Sequence, residues 1–200
     1  MKVLITGAGG QVARALVAAR PEGATVLALH RADLDISDRT AVLAAIGEHR
    51  PDLVFNAAAY TAVDKAESEP HAAMAVNGIG VGWLAEACTL HGAQLVHLST
   101  DYVFSGESPR PYQVDDLPDP NSVYGQTKRA GELAALNAPE ALVVRTAWVH
   151  SSGPGNFVAT MLRLMAGAGP VRVVDDQIGS PTHAASLAGA VWSLARAGAT

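Results

Sequence analysis

Two side chains suited to proton transfer lie four residues apart in NSVYGQTKRAGE, residues 121–132. At helical spacing, Tyr124 and Lys128 share one face of a helix. A free tyrosine titrates near pH 10, so proton exchange near neutral pH calls for a pKa lower by roughly 3, about 4 kcal/mol of preferential stabilisation of the phenolate. A neighbouring ammonium group favours the phenolate. The spacing therefore indicates a proton-donating pair, and the alternative is an exposed helical pair without a chemical role.

The composition limits the kinds of partner. The 200 residues are 49% hydrophobic and 16% charged, which is enough apolar surface for one sizeable core. The net charge of −5 gives no general attraction to nucleic acid or to an anionic membrane. The single cysteine, Cys88, excludes an internal disulfide, and the histidines show no ligand-like pairing, so we predict no metal site. No stretch is expected to cross a membrane, and a small-molecule partner in the cytoplasm is predicted.

Apolar, β-branched runs alternate with longer segments of helical spacing. The predicted strands are KVLIT, TVLAL, DLVFNA, QLVHLS, LVVRT and VRVV, and the predicted helices cover residues 11–19, 38–48, 68–91 and 122–137. This alternation predicts an α/β fold, a Rossmann-type doubly wound parallel sheet covered on both faces. We expect residues 1–150 to form the dinucleotide-binding domain. Residues 151–200 are expected to begin a small, incomplete substrate lobe on the same sheet.

A glycine-rich turn follows the first predicted strand in KVLITGAGGQVARAL. Gly7, Gly9 and Gly10 let the backbone approach a ligand closely, and the next helix directs unpaired N–H groups at a pyrophosphate. A turn without a ligand is the alternative, but the place of the turn between strand and helix favours a dinucleotide. About 20 residues further on, where an acid usually binds the ribose of NAD, the chain has His30 and Arg31. These residues favour NADPH, with NADH as the second choice.

Several stretches together resemble the extended short-chain dehydrogenase/reductases and, most closely, the dTDP-4-dehydrorhamnose reductase family. They are the glycine loop, NAAAYT, AVDKAESEP, LSTDYVFSG, VYGQTK, RTAWVH and DDQIGSPT, and they run the length of the chain. That family reduces the 4-keto group of a nucleotide-linked 6-deoxyhexose with NADPH or NADH. The resemblance therefore implies this activity, a nucleotide-sugar substrate and a role in making dTDP-L-rhamnose.

The resemblance also gives roles to individual positions. It makes Tyr124 the proton donor, Lys128 its partner and ribose anchor, and Thr100 the hydroxyl that helps to hold the carbonyl. Asp101 and Trp148 match positions that touch the sugar. The implied cofactor contacts are Gly10, Gln11 and Val12 at the phosphates, Asp35 and Ile36 at the adenine side, and Ala59, Tyr60 and Thr61 beside the nicotinamide ribose. Asn77 is expected to support backbone geometry, and Asn156 and Gln177 to lie near the distal part of the substrate.

The chain departs from the family pattern in two respects. Ala15 stands where members with a magnesium ion between subunits carry an acid, so we expect a monomer or a weak homodimer instead of a metal-bridged dimer. Relatives are longer, so the substrate lobe is expected to be cut short or pared down.

Two other functions stay open. A sugar-nucleotide dehydratase or epimerase is one, but dehydratases usually carry Glu where Tyr102 follows Asp101. A non-catalytic, NADP-binding regulatory subunit is the other, and the intact tyrosine and lysine argue against it.

Overall fold

Five of the six predicted strands form one parallel sheet, in the order β2-β1-β3-β4-β5, in the computed structural model, which describes residues 1–199. They are β1 (Lys2–Thr6), β2 (Thr25–Leu29), β3 (Leu53–Asn56), β4 (Gln94–Thr100) and β5 (Ala141–Thr146). After β2 the chain returns past β1 to build the other half of the sheet. The strand order thus reverses at β1 and β3, and ligands of such sheets bind where the carboxyl ends of the strands flank this point.

The predicted crossover helices are present, with ends shifted by at most two residues. Their bounds are α1 (Gln11–Ala18), α2 (Arg39–His49), α3 (Val63–Ser68), α4 (Pro70–Met74), α5 (Gly80–His91), α6 (Val123–Ala135), α7 (Phe157–Met165) and α8 (Ala184–Arg196). A π-helical turn, Ala75–Ile79, joins α4 to α5, so residues 70–91 form one continuous but irregular helix. Such π turns are frequent at functional sites.

Alternating residues of the strands supply two separate cores, as a sheet covered on both faces requires. On one face Leu4, Val54 and Leu95 pack against α2, α5 and α6. On the other, Val3, Ile5 and Phe55 pack against α1 and α8. The doubly wound Rossmann-type fold predicted from the strand and helix pattern is therefore confirmed.

The last helix belongs to the predicted second region but covers the central sheet. Trp192 of α8 lies edge-on to Phe55 with ring centroids 4.7 Å apart, and its indole N–H donates to the carbonyl of Leu16 at 2.9 Å. The division of the chain at residue 150 stays a prediction.

The run VRVV, residues 171–174, does not form the predicted sixth strand. Val173 and Val174 are 51% and 68% exposed, and no neighbouring strand pairs with them among the described residues. β-Propensity reflects packing on a half-buried surface, which is missing here. Instead, β6 (Val149–His150) and β7 (Thr182–His183) form a short parallel pair beside the main sheet.

One helix meets the length and composition requirements for crossing a membrane, a test that a buried core helix also passes. The 22-residue helix Pro70–His91 is long and apolar enough to do so. Half of its apolar window is buried inside the protein, however, because α5 forms part of the core on one face of the sheet. This burial is what the core helix of a soluble protein shows.

Candidate active site

A continuous groove runs along the carboxyl ends of the strands. One part is a cavity of about 650 Å³ between the glycine loop, residues 30–36 and residues 57–62. The other is a cavity of about 760 Å³ that reaches Thr100, Tyr124, Lys128 and Trp148. The two cavities share the glycine loop and Ala57–Ala59, so residues far apart in sequence face one groove.

The glycine loop has a backbone that other residues could not adopt at its first position. Gly7 has φ +70°, and a Cβ there would lie 2.8 Å from the backbone of Ala57 and Ala58. The amide of Gly10, the residue before α1, donates to the carbonyl of Gly7 at 2.9 Å and closes the turn. No side chain caps α1 and no acid lies in its first turn. Its first N–H groups are thus available to an anion, as the sequence predicts.

The far end of the groove carries a charged pair. Asp35 accepts hydrogen bonds from the backbone and hydroxyl of Ser37 at 3.0 and 2.7 Å, and from the Arg31 guanidinium at 3.1 Å. The Ser37 hydrogen bonds, assisted by Arg31, lower the pKa of Asp35. The Arg31 side chain is 80% exposed at this end of the groove. His30 lies over the glycine loop, and its Nδ1 atom is 3.5 Å from the position that a Cβ on Gly9 would occupy. Ile36 lines the groove next to them.

The middle wall of the groove is fixed by Asn77, which lies in the π turn. Its Oδ1 accepts from the Tyr60 amide at 2.8 Å, and its Nδ2 donates to the Tyr60 carbonyl at 3.0 Å and to Thr127 Oγ1 at 3.2 Å. The wall of Ala59, Tyr60 and Thr61 is therefore tied to α6. The prediction that Asn77 supports backbone geometry is confirmed. The Tyr60 phenol bonds to Glu69 at 2.7 Å.

The N-terminus of α6 is held close to the end of β4. Ser122 accepts from the Gly125 amide at 3.1 Å, and Glu67 accepts from the Val123 amide at 2.8 Å. A Cβ on Gly125 would lie 2.1 Å from the carbonyl of Tyr102, so only glycine lets the helix approach this closely. The approach brings Tyr124 beside Thr100, with the Tyr102 ring edge-on at 5.5 Å.

Burial controls the protonation of the predicted pair. It raises the pKa of Tyr124 to about 12, although the Thr100 hydroxyl acts in the opposite direction. Burial also lowers the pKa of Lys128 to about 8, with Glu132 opposing the change. The Lys128 ammonium donates to the Leu98 carbonyl at 2.6 Å. Lys128 alone therefore does not produce the low tyrosine pKa that the spacing suggests, and the ligand-free protein keeps the phenol protonated.

The predicted sugar contacts line the second cavity. Thr100 donates to Asp101 Oδ1 at 3.1 Å, and burial raises the pKa of Asp101. Trp148 is 45% exposed and has φ +48°, a conformation that is costly for a bulky side chain. A Cβ on Gly179 would lie 2.6 Å from the Trp148 indole, so the ring is braced from behind. A braced, half-exposed aromatic ring in a strained backbone is typical of a binding surface.

Sequence comparison gives the family. A model of the RmlD substrate binding domain matches residues 1–200. The dTDP-4-dehydrorhamnose reductase of Streptomyces griseus is 53% identical over 197 residues, which cover 97% of this chain and 65% of the relative. The reductase of that name from Mycolicibacterium smegmatis is 51% identical, with 98% and 61% of the two chains covered.

A solved structure agrees with the sequence relatives. The dTDP-4-dehydrorhamnose reductase of Bacillus anthracis, in complex with NADP, superposes with a TM-score of 0.95 at 39% identity. The match covers 98% of this chain and 71% of that one. The chain belongs to the dTDP-4-dehydrorhamnose reductase family. It spans less than two thirds of the length of the two sequence relatives named above.

Two residues predicted to bind ligands are instead engaged within the protein in this member of the reductase family. The side chain of Gln11 accepts from Ser151 Oγ at 2.8 Å and from Asn156 Nδ2 at 3.2 Å. Asn156 is 7% exposed and also caps α7 by accepting from Ala159 N at 2.9 Å. The Gln11 side chain is therefore occupied. The groups of Gln11 and Val12 that remain for a phosphate are their backbone amides at the start of α1. Gln177 lines an apolar cavity of about 410 Å³ behind Trp148.

Sequence reasoning missed several polar residues of this family member that the fold places at the site. Thr6, Asn56 and His97 are completely buried beneath Lys128. Glu132, 1% exposed, bonds to Arg129 and Arg145 at 2.7 and 2.8 Å. The Thr146 hydroxyl lines the groove and has no hydrogen-bond partner among the described residues. For Thr6, Asn56, His97 and Thr146, a polar residue inside an apolar strand was the only sign in the sequence, and Glu132 on α6 gave none.

Proposed function

We propose that the chain catalyses the NADPH-dependent reduction of the 4-keto group of a nucleotide-linked 6-deoxyhexose. The observation that carries this proposal is the meeting of Tyr124, Lys128 and Thr100 in one groove with the glycine loop. The names of the relatives point to dTDP-4-dehydrorhamnose as the substrate and to dTDP-L-rhamnose as the product. NADH is proposed as the weaker cofactor.

The residues of the groove fit a dinucleotide. The absent side chain of Gly7 leaves the close approach open, and the uncapped start of α1 offers amides for a diphosphate at Gly10, Gln11 and Val12. The remaining proposed contacts are His30 and Arg31 at the 2′-phosphate, Asp35 and Ile36 at the adenine side, and Ala59, Tyr60, Thr61 and Lys128 at the nicotinamide ribose. When bound, a reduced nicotinamide supplies the two electrons and the hydrogen that the carbonyl carbon accepts.

The side chains around the carbonyl have complementary tasks in this proposal. Tyr124 donates its proton to the carbonyl oxygen, and its raised pKa keeps it protonated until then. Thr100 helps to hold that oxygen, while Asp101 and Trp148 orient the sugar. Lys128 anchors the ribose and favours the phenolate that forms. Alignment of these groups with the carbonyl and the nicotinamide supplies the rate enhancement in this proposal.

Turnover of a keto-sugar nucleotide tests the proposal. Purified protein mixed with NADPH and dTDP-4-dehydro-L-rhamnose is expected to consume NADPH and to form the reduced sugar. Cofactor binding without turnover would favour the regulatory-subunit alternative. Conversion of a sugar nucleotide without net consumption of NADPH would favour an epimerase or a dehydratase.

We also propose that the protein acts in the cytoplasm as a monomer or weak homodimer, without a nucleic-acid or membrane partner. The net charge of −5 and the half-buried helix Pro70–His91 support this proposal. Light scattering over a concentration series measures the mass in solution, and a stable dimer at low concentration would contradict it.

A further inference from the structure

The side chain of Gln11 joins the phosphate end of the groove to the wall that carries Trp148. Gln11 is the first residue of α1, directly after the glycine loop. Its Oε1 atom accepts from Ser151 Oγ at 2.8 Å and from Asn156 Nδ2 at 3.2 Å. Its Nε2 atom lies 3.5 Å from the carbonyl oxygen of Val149. All three partners belong to residues 149–165, which contain β6 and α7 and are called the lobe segment below.

The orientation of the Gln11 amide is fixed through Asn156. The backbone amide of Ala159 donates to Asn156 Oδ1 at 2.9 Å. On the other side, Asn156 Nδ2 lies 3.0 Å from the Ser151 carbonyl oxygen and 2.8 Å from that of Gly153. A backbone N–H can only donate and a carbonyl can only accept, so the oxygen and nitrogen of the Asn156 amide cannot exchange places. Asn156 therefore presents its NH₂ group to Gln11, which must accept with its oxygen.

The lobe segment has little apolar packing to hold it in place. Val149 packs against the core at its start, but α7 has no buried residue. Within residues 1–199, the side-chain hydrogen bonds between the lobe segment and the central sheet or its helices all involve Gln11. The short pairing of β6 with β7 adds a backbone contact. Segments with few buried apolar contacts open easily, so the position of the lobe segment depends strongly on Gln11.

The backbone of Gln11 belongs to the phosphate site of the proposed function. Its amide is among the first N–H groups of α1, which have no partner within the helix, and no side chain caps them. A phosphate bound there orders the Gln11 backbone. The side chain then loses less freedom when it bonds to Ser151 and Asn156, so order at the phosphate site favours order in the lobe segment.

We propose that the Gln11 side chain couples the two ligand sites, so that a dinucleotide bound at the start of α1 holds the lobe segment in the position that receives the sugar nucleotide. Gln11 is thereby a positioning residue for the sugar, because the lobe segment carries Phe157, which lines the groove beside Trp148. The identity of the two ligands rests on the proposed function. Since coupling is reciprocal, the sugar nucleotide strengthens cofactor binding by the same factor.

Hydrogen exchange followed by mass spectrometry measures this coupling without any turnover. NADP⁺ is added to the native protein and to Gln11→Met, which keeps the backbone amide but replaces the side-chain amide with a weak acceptor. In the native protein we expect NADP⁺ to slow exchange both at residues 7–14 and in the lobe segment. In Gln11→Met we expect the first effect to remain and the second to disappear. Slower exchange of the lobe segment in both proteins would overturn the proposal.

The ligand-free proteins give a second comparison. Loss of the two accepted hydrogen bonds in Gln11→Met should speed exchange in residues 157–165 about fivefold or more. Equal rates in the two proteins would overturn the proposal. Ser151→Ala removes the shorter bond from its other end and should have the same effect, which decides the matter if Gln11→Met does not fold. Gln94→Met is the control, because Gln94 bonds to the Ala199 carbonyl at the start of β4, and it should leave the lobe segment unchanged.

Failure of the coupling and failure of the proposed function give different results. If NADP⁺ does not slow exchange at residues 7–14 of the native protein, the proposed function is contradicted, and the ligand-free comparison decides whether Gln11 holds the lobe segment. Slower exchange there without any change in the lobe segment contradicts the coupling alone. In an active enzyme, Gln11→Met should raise KM for the sugar nucleotide several-fold, with kcat and cofactor affinity little changed. A loss of kcat with KM intact would overturn the positioning role of Gln11.

Discussion

The two walls of the groove are built in opposite ways. On the wall made by β4 and α6, Thr100, Tyr124 and Lys128 are 6%, 9% and 2% exposed. On the wall that runs from Trp148 to Pro181, α7 has no buried residue, and Phe157 is 63% exposed. Proton transfer needs groups fixed to within fractions of an ångström, whereas an apolar wall that recognises a sugar can tolerate looser packing. We therefore expect changes in the first wall to affect stability and rate, and changes in the second to affect substrate affinity.

The largest effect is expected from the buried ion pair behind the first wall. Glu132→Gln leaves Arg129 and Arg145 without their carboxylate, and we expect a loss of about 3 kcal/mol in the free energy of unfolding. This is the low end for a broken buried pair, because both arginines keep some contact with water. Denaturant unfolding measures the loss. Glu86→Gln, in an exposed pair with Arg39, is the control and should cost much less stability than Glu132→Gln.

The same variant has a defined pH dependence. Burial alone would raise the pKa of Glu132. The hydrogen bonds that Glu132 accepts, among them those from Arg145 and Arg129, outweigh burial and bring this pKa below its usual value of 4.5. A carboxyl group with a lowered folded-state pKa stabilises the protein above its unfolded-state pKa. The stability difference between native protein and Glu132→Gln should therefore be constant at neutral pH and shrink as the pH falls through the folded-state pKa. A difference that grows on acidification would contradict this assignment.

Tyr124→Phe tests the chemistry of the first wall. The substitution removes the proton donor but keeps the ring, so we expect kcat to fall at least about a hundredfold with cofactor affinity little changed. Steady-state kinetics and a cofactor titration measure the two quantities. Tyr112→Phe is the control, because Tyr112 stacks on Phe104 outside the groove. Unaltered activity in Tyr124→Phe would remove Tyr124 from the mechanism.

Trp148→Ala tests the second wall. We expect KM for the sugar nucleotide to rise up to about tenfold, since stacking on an aromatic ring contributes up to about 1.5 kcal/mol, while kcat changes little. Stability should hardly fall because the ring is half-exposed and its backbone strained. Trp83→Ala, on α5, should leave KM unchanged. A large loss of kcat with KM intact would place Trp148 with the first wall.

The smallest effect is expected at the far mouth of the groove. Arg31→Ala should weaken NADPH about fivefold and NADH hardly at all, because an exposed charge contributes up to about 1 kcal/mol. Competition binding measures both affinities, with Arg20→Ala as the charge-matched control. Equal losses for the two cofactors would rule out a contact with the 2′-phosphate.

Local sequence patterns were enough to predict much of the fold and the reactive residues of the wall made by β4 and α6. The five strands of the sheet and the glycine loop follow from periodicity and turn chemistry, which act over a few residues. The pairing of Tyr124 with Lys128 follows from one helical turn. VRVV shows the limit, because the same apolar pattern forms a strand only where another strand lies beside it.

The sequence by itself determined which residues could carry the chemistry, since a glycine loop and a Tyr-x-x-x-Lys spacing are local features. Only the tertiary structure decided how these residues are held. His97 meets Lys128 across 31 positions of the chain and Asn56 across 41. The position of the Trp148 indole depends on the absence of a side chain at Gly179. Burial and hydrogen-bond partners arise from such distant contacts, and they set the protonation states that a spacing alone cannot give.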